Sequence, residues 1–378
     1  LAALAGAGYW LGTQRPPASV GSAQAVPPVP LAAQAGTTAV AIHFDGWRDW
    51  RDAYRALLAV PQARYVNRVA VSAGRPDWTH FRWPGNERWW SPDQAREGGD
   101  MLEEAVAALQ ARGYRVSAIF DVFAARYLKS HPEAAATDVD GRRSADVVCL
   151  RELARGDYGR FLLAATEALA ASTRADTVAI TELFYDKYCF DDASLADYRR
   201  ATGNAGWPRT RSGRIDWESR ALDTWRSREL ALVVERLSRA VRRHGKTFAL
   251  DVKFSRGDLT RNSAEYGQDY ALLAPWVDEF VVWDYFAIEG LPPENAARVA
   301  AYFDDEFGAN AFFLSIGLWD RDGGTIPAEA FARGLRAARL GGAERIWITP
   351  ARDLSPAHWD AVAEFARGSG APRQLSRR

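Results

Sequence analysis

From residue 38 onward the chain repeats one theme eight times: a short run of β-branched and apolar residues, a loop, then an amphipathic stretch with helical spacing. The runs fall at 40–45, 68–72, 115–121, 177–182, 247–254, 280–285, 312–318 and 345–349. Helical patterns lie between them, among others at 100–112, 158–171, 218–244, 294–307, 328–340 and 356–367. The last four runs begin about 32 to 33 residues apart, the length of one strand–helix unit. Eight such units predict an α/β chain closed into a (β/α)8 TIM barrel over residues 38–370. A doubly wound open sheet is the rival, but no Gly-x-Gly-x-x-Gly follows the first run.

The spacing is stretched after strands two, three and four, and in each case the surplus precedes the next helix. Those loops cover the C-terminal face, where barrels of this kind carry their sites. The second loop holds Trp78, Trp83, Trp89 and Trp90 in a Gly- and Pro-rich context. Two readings are open: Trp89 and Trp90 stack on sugar faces, or the rings pack the long loop and plug the mouth.

Strand parity then sorts the polar residues. A barrel strand alternates between the helix layer and the interior, so a charged residue near a strand end belongs inside or at the rim. Five strands place a carboxylate near their C-terminal ends: Asp45, Asp121, Glu182, Asp251 and Asp284. His43 and Lys253 stand among them, and Trp319 with Asp320 follows the seventh strand. Burying so many ionisable groups is costly unless they serve chemistry. Several carboxylates with abundant Trp point to glycosidic bond hydrolysis, in which one carboxylic acid protonates the leaving oxygen and another acts as nucleophile or base. Glu182 and Asp284 are the candidates for that work, with Asp45, Asp121, Asp251, Lys253, Trp89, Trp90 and Trp319 as substrate-binding residues. Lys253 also admits a Schiff-base lyase or aldolase reading. A third reading is a glycan-binding barrel without turnover.

The segments HPEAAATDVDGRR at 131–143 and VCLRELARGDYGRF…TVAITELFYDKYCFDD, running from 148 to 192, carry a resemblance. They resemble the bacterial glycoside-hydrolase-like (β/α)8 barrels of the YddW type and the hydrolase domains of exopolysaccharide-processing lipoproteins. The shared cadence is a His-Pro-Glu segment, a Gly turn, a loop through Gly156 and Asp157 into a helix, and a strand ending in acidic and aromatic residues before an Asp-Asp pair. The resemblance implies active-site acids on the fourth strand and its following loop. By position these are Glu182, Asp186 (catalytic), Asp191 and Asp192, with Tyr185 beside them at the substrate. Here TELFYDK separates the strand end from the Asp pair, and the Asp-Ala-Ser context of Asp191 and Asp192 is equally a helix N-cap signal.

Composition limits the remaining classes. There are 48 basic and 48 acidic side chains, so the net charge of zero argues against a nucleic-acid partner. No His/Cys spacing suggests a metal, and no cofactor motif is present, so none is expected. The two cysteines, Cys149 and Cys189, follow the third and fourth strands, and either join those loops or serve as small buried hydrophobes. At the N-terminus LAALAGAGYWLG is an apolar run too short to span a bilayer, followed by a Pro/Ala/Ser-rich stretch to residue 37. Residues 1–37 read as a signal or anchor remnant with a flexible linker, the alternative being a buried helix and loop. An exported protein, periplasmic or extracellular and tethered at the membrane through this segment, is the expectation. The partner is a polysaccharide substrate. Residues 371–378 read as a polar tail.

Overall fold

The computed structural model describes residues 38–45, 49–185, 187–254 and 264–368. Eight parallel strands form the barrel: β1 (Ala39–His43), β2 (Arg68–Arg75), β3 (Arg115–Asp121), β4 (Thr177–Thr181), β5 (Thr247–Lys253), β6 (Glu279–Asp284), β7 (Phe312–Gly317) and β8 (Arg345–Thr349). Each pairs with its neighbour in chain order, and β1 pairs with both β2 and β8, so the sheet closes with no free edge. The expected barrel and all eight strand positions are present, with ends shifted by no more than three residues.

A helix follows each strand: α1 (Trp50–Leu58), α2 (Met101–Gln110), α3 (Asp157–Ser172), α4 (Arg220–Arg242), α5 (Tyr270–Leu273), α6 (Asn295–Phe307), α7 (Ala328–Leu340) and α8 (Pro356–Arg367). Helix starts are set by ordinary capping chemistry. Asp100 accepts from Glu103 N–H ahead of α2, and Ser355 and His358 form a reciprocal box ahead of α8. Outward residues such as Val69, Val116, Val178, Phe248 and Leu314 join the helices in one continuous apolar layer.

The barrel interior has three levels. At its middle, Ala41, Ala70, Ala179 and Ala249 leave room for Ile119, Val281, Phe313 and Trp347. Alanines on β1, β2, β4 and β5 leave the space that the larger side chains of β3, β6, β7 and β8 fill, so the narrow barrel packs without voids. Beneath this layer Glu279 is bonded to both Arg68 and Arg345, and the two guanidinium groups lie 4.8 and 3.9 Å from the centre of the Phe313 ring. Above it the strand ends open into a polar mouth.

The long loops pack on themselves as well as shaping the mouth. After β3, the strands Ala135–Thr137 and Arg143–Val148 form an antiparallel hairpin. After β4 the helix Asp192–Thr202 packs Tyr198 against Trp207, Leu222 and Trp225. Gly317 ends β7 because a Cβ there would lie 2.6 Å from the Tyr285 ring.

Candidate active site

Parity places the mouth residues. The inward sets are Ala41 and His43 on β1, with Asp45 beyond them; Ile119 and Asp121 on β3; Ala249, Asp251 and Lys253 on β5; and Val281 and Trp283 on β6, with Tyr285 next. Glu182 enters differently. It follows Thr181, whose position already points inward, so continued alternation would turn Glu182 toward the helices. Instead its backbone takes φ +61°, a left-handed value that costs a non-glycine residue about 1–3 kcal/mol. That turn sets its carboxyl among the inward acids, where it feels Asp121, Lys253, Asp251 and Asp146.

Burial dominates the electrostatics of this cluster. It pushes the Glu182 carboxyl up to about 8; the charges of Asp121, Asp251 and Asp146 add to that and Lys253 opposes it. Asp121 is pushed by burial to about 6, restrained by the Phe123 N–H, which donates to Oδ1 at 2.6 Å, and by Arg75. Asp251 is pushed by burial to about 7, restrained by Thr181 and by Trp283 Nε1, which donates to Oδ2 at 3.2 Å. Near neutral pH Glu182 is thus protonated beside an ionised Asp121, the separation that acid/base chemistry requires.

An aromatic wall closes one side. Tyr285 stacks on Trp283 with ring centres 5.2 Å apart, and Trp319 meets Tyr285 edge-on at 5.5 Å. The Lys253 ammonium lies 3.7 Å from the centre of the Phe184 ring and 5.0 Å from that of Tyr266. The Tyr285 phenol is pushed up by burial and feels Asp251, Glu182 and Asp45, so it reaches both sides of the mouth. Across from the acids, His43 Nδ1 meets Thr349 Oγ1 at 3.2 Å, and burial lowers its pKa against the pull of Asp45.

Asp121, Glu182, Asp251 and Lys253 therefore stand together, with Asp45 opposite and Trp319 at the wall. Other expected site residues do not join them. Asp284 shares parity with Phe280 and Val282 and faces the helix layer, where Asn295 at the start of α6 donates to its Oδ1 at 2.8 Å. It is 2% exposed and borders a pocket that Lys253, Trp283 and Tyr285 also line. Asp284 therefore points to the helix side of β6, and burial pushes its carboxyl up to about 7. Asp284→Asn, which keeps the bond to Asn295, is expected to leave kcat within about threefold of wild type, measured by steady-state turnover.

Asp191 is the N-cap of the helix Asp192–Thr202: its Oδ1 accepts from Ser194 N–H at 2.9 Å, and Asp192 is exposed in the first turn. Tyr185 is buried, donating its hydroxyl to Val148 O at 2.7 Å. Trp89 packs on Phe161 with Arg88 and Arg126 over its ring, and Trp83 stacks on the same Phe161. Trp90 is partly exposed beside them, its carbonyl accepting from Arg126 at 3.4 Å. The structure thus places Tyr185 and Asp191 in packing and capping contacts, and Trp89, Trp90 and Asp192 outside the acid cluster of the mouth. Asp186 and residues 1–37 and 371–378 lie outside the described residues.

Trp283, Tyr285, Phe184, Arg75 and Asp146 went unremarked in the sequence. The signal for the first two was present: Phe280 and Val282 are an apolar pair at the parity of Asp284, which leaves Trp283 and Tyr285 as the inward set. Among the described residues, no group of three or more His, Cys, Asp or Glu is placed to hold a metal ion, and no helix is long and apolar enough to cross a membrane.

Solved structures that superpose on this (β/α)8 barrel include glycoside hydrolases. The glycoside hydrolase domain of PgaB (BpsB) from Bordetella bronchiseptica superposes with a TM-score of 0.62 at 16% identity, over 88% of this chain and 97% of that one. The catalytic domain of β-amylase from Paenibacillus polymyxa gives 0.59 at 9% identity, over 88% and 99%. A chitinase from Chromobacterium violaceum gives 0.52 at 15% identity, over 89% and 100%. No family model matches the chain, and no curated protein matches it by sequence.

Proposed function

We propose that this chain hydrolyses glycosidic bonds in a cell-envelope or extracellular polysaccharide, with Glu182 as general acid and Asp121 as its ionised partner. The observation that carries this reading is the left-handed turn that sets Glu182 into the field of Asp121 at the barrel mouth, where burial raises its carboxyl. Glu182 donates its proton to the glycosidic oxygen as the bond breaks. Asp121 carries the charge that acts on the anomeric carbon, directly or through a water. Trp283, Tyr285 and Trp319 offer apolar faces to the sugar ring, and His43, Asp45 and Asp251 offer hydrogen bonds to its rim. The fold likeness to glycoside hydrolases supports the same class of substrate, and the apolar N-terminal run favours export, with the barrel periplasmic or extracellular and held near the membrane.

The lyase reading fits less well. A lysine that forms a Schiff base must be neutral to attack, and rings on Lys253 favour its ammonium form. The test is release of reducing ends from a panel of bacterial exopolysaccharides, with wild type and Glu182→Gln compared. Release by wild type only, with binding retained in the variant, is the expected result. Borohydride trapping of a covalent adduct on Lys253 would move the protein to the lyases. Binding by both proteins without release by either would make it a glycan-binding barrel.

A further inference from the structure

Cys149 and Cys189 are the two cysteines of the chain and stand on different loops. Cys149 follows the hairpin strand Arg143–Val148 in the loop after β3, and Cys189 lies in the loop after β4, beyond Glu182. Both are buried free thiols. The Cys149 thiol bonds Asp191 Oδ2 at 3.5 Å and meets Ser194 Oγ at 3.2 Å, and the N–H of Leu150, the residue after Cys149, donates to Cys189 Sγ at 3.0 Å. Cys189 takes φ +71°, a second strained left-handed residue, so the backbone is bent where its sulfur meets the Leu150 N–H.

The two loops are already tied on either side of this contact. Tyr185 donates its hydroxyl to Val148 O at 2.7 Å, Phe190 N–H donates to Thr137 O at 3.0 Å, and Asp138 bridges to Tyr188. These ties hold the two cysteines on adjoining loops. The thiols are also unequal. The hydrogen bond with Cys189 pulls the Cys149 thiol below its ordinary value against the effect of burial, whereas burial pushes Cys189 well up. Cys149 retains slight exposure and Cys189 none, which makes Cys149 the attacking group.

We propose that Cys149 and Cys189 are the reduced form of a disulfide that joins the loops after β3 and β4. The oxidant is itself a disulfide, either a small molecule or a thiol–disulfide oxidoreductase. The Cys149 thiolate attacks one of its sulfurs and releases one thiol. Cys189 gives up its proton, displaces the second thiol from Cys149, and closes the S–S bond. Two electrons pass to the oxidant, which leaves as two thiols carrying the two protons. The closed loop contains β4 and Glu182, so the link restrains the strained turn that aims the acid.

The test uses the full chain, purified reduced and then equilibrated with oxidised glutathione. The expected product is a monomer lighter by about 2 Da, with a proteolytic fragment joining residues 149 and 189 and no thiol open to alkylation after denaturation. Its melting temperature should exceed that of the reduced chain by roughly 5 °C, and Cys149→Ser and Cys189→Ala should each abolish that rise. Two alkylated thiols, mixed glutathione adducts that persist, or links only between chains would overturn the proposal.

Discussion

Turnover is expected to follow a bell-shaped pH profile, rising through about 6 and falling through about 8. The limbs come from the carboxyls that the mouth drives apart. Asp121, near 6, must be ionised, so activity grows as pH rises through that value. Glu182, near 8, must be protonated, so activity declines as pH passes it. The two interact, and the limbs therefore belong to the pair. Glu182→Gln keeps the size of the side chain but holds no transferable proton. It should lower kcat by about a thousandfold, the middle of the range for a general acid, and remove the alkaline limb from what remains. Leaving groups that depart without protonation should suffer least. Steady-state rates between about pH 4 and 10 for both proteins decide the matter. An unaltered alkaline limb in the variant would show that another group supplies the proton.

The fold was legible because the signals for strand, helix and loop agreed over eight units, and regular burial on both strand faces leaves a repeating pattern in the sequence. The site was legible only where alternation persisted to the strand end. Asp121 and Asp251 keep the parity of the apolar ring residues Ile119 and Ala249, and both face the mouth. Asp284 drew attention as a carboxylate, although the parity of Phe280 and Val282 already placed it outside. Glu182 stands in the mouth against parity, because of a backbone turn that no local spacing encodes. Long-range packing was similarly hidden. Nothing near Trp83 or Trp89 announces that Phe161, on a helix far along the chain, will cover them. Asp191 was the opposite case: its Asp-Ala-Ser context signalled a helix cap, and Ser194 accordingly bonds it.

At the other end of the barrel, Glu279→Gln is expected to be the most damaging single substitution for stability. Glu279 is buried between Arg68 and Arg345 and bonded to both. Removing its charge leaves two buried guanidinium groups facing one another with no counter-ion. Breaking such a pair costs about 3–5 kcal/mol, so the melting temperature should fall by roughly 5 °C at neutral pH. The loss is one of compensation and not of attraction alone, so replacing all three groups by apolar residues of similar volume should recover most of it. The pH dependence separates this account from simple misfit. Burial pushes the Glu279 carboxyl up, but the charges and hydrogen bonds of Arg68 and Arg345 outweigh it and hold the group below its ordinary value. A depressed carboxylate contributes fully above its unfolded value, near about 4.3, and its contribution is lost as pH falls through the lower folded value. The melting curves of wild type and Glu279→Gln should therefore stand apart from neutral pH down to about 4 and converge below it. A gap that persists unchanged into strong acid would mean that the side chain's shape, and not its charge, holds the base of the barrel together.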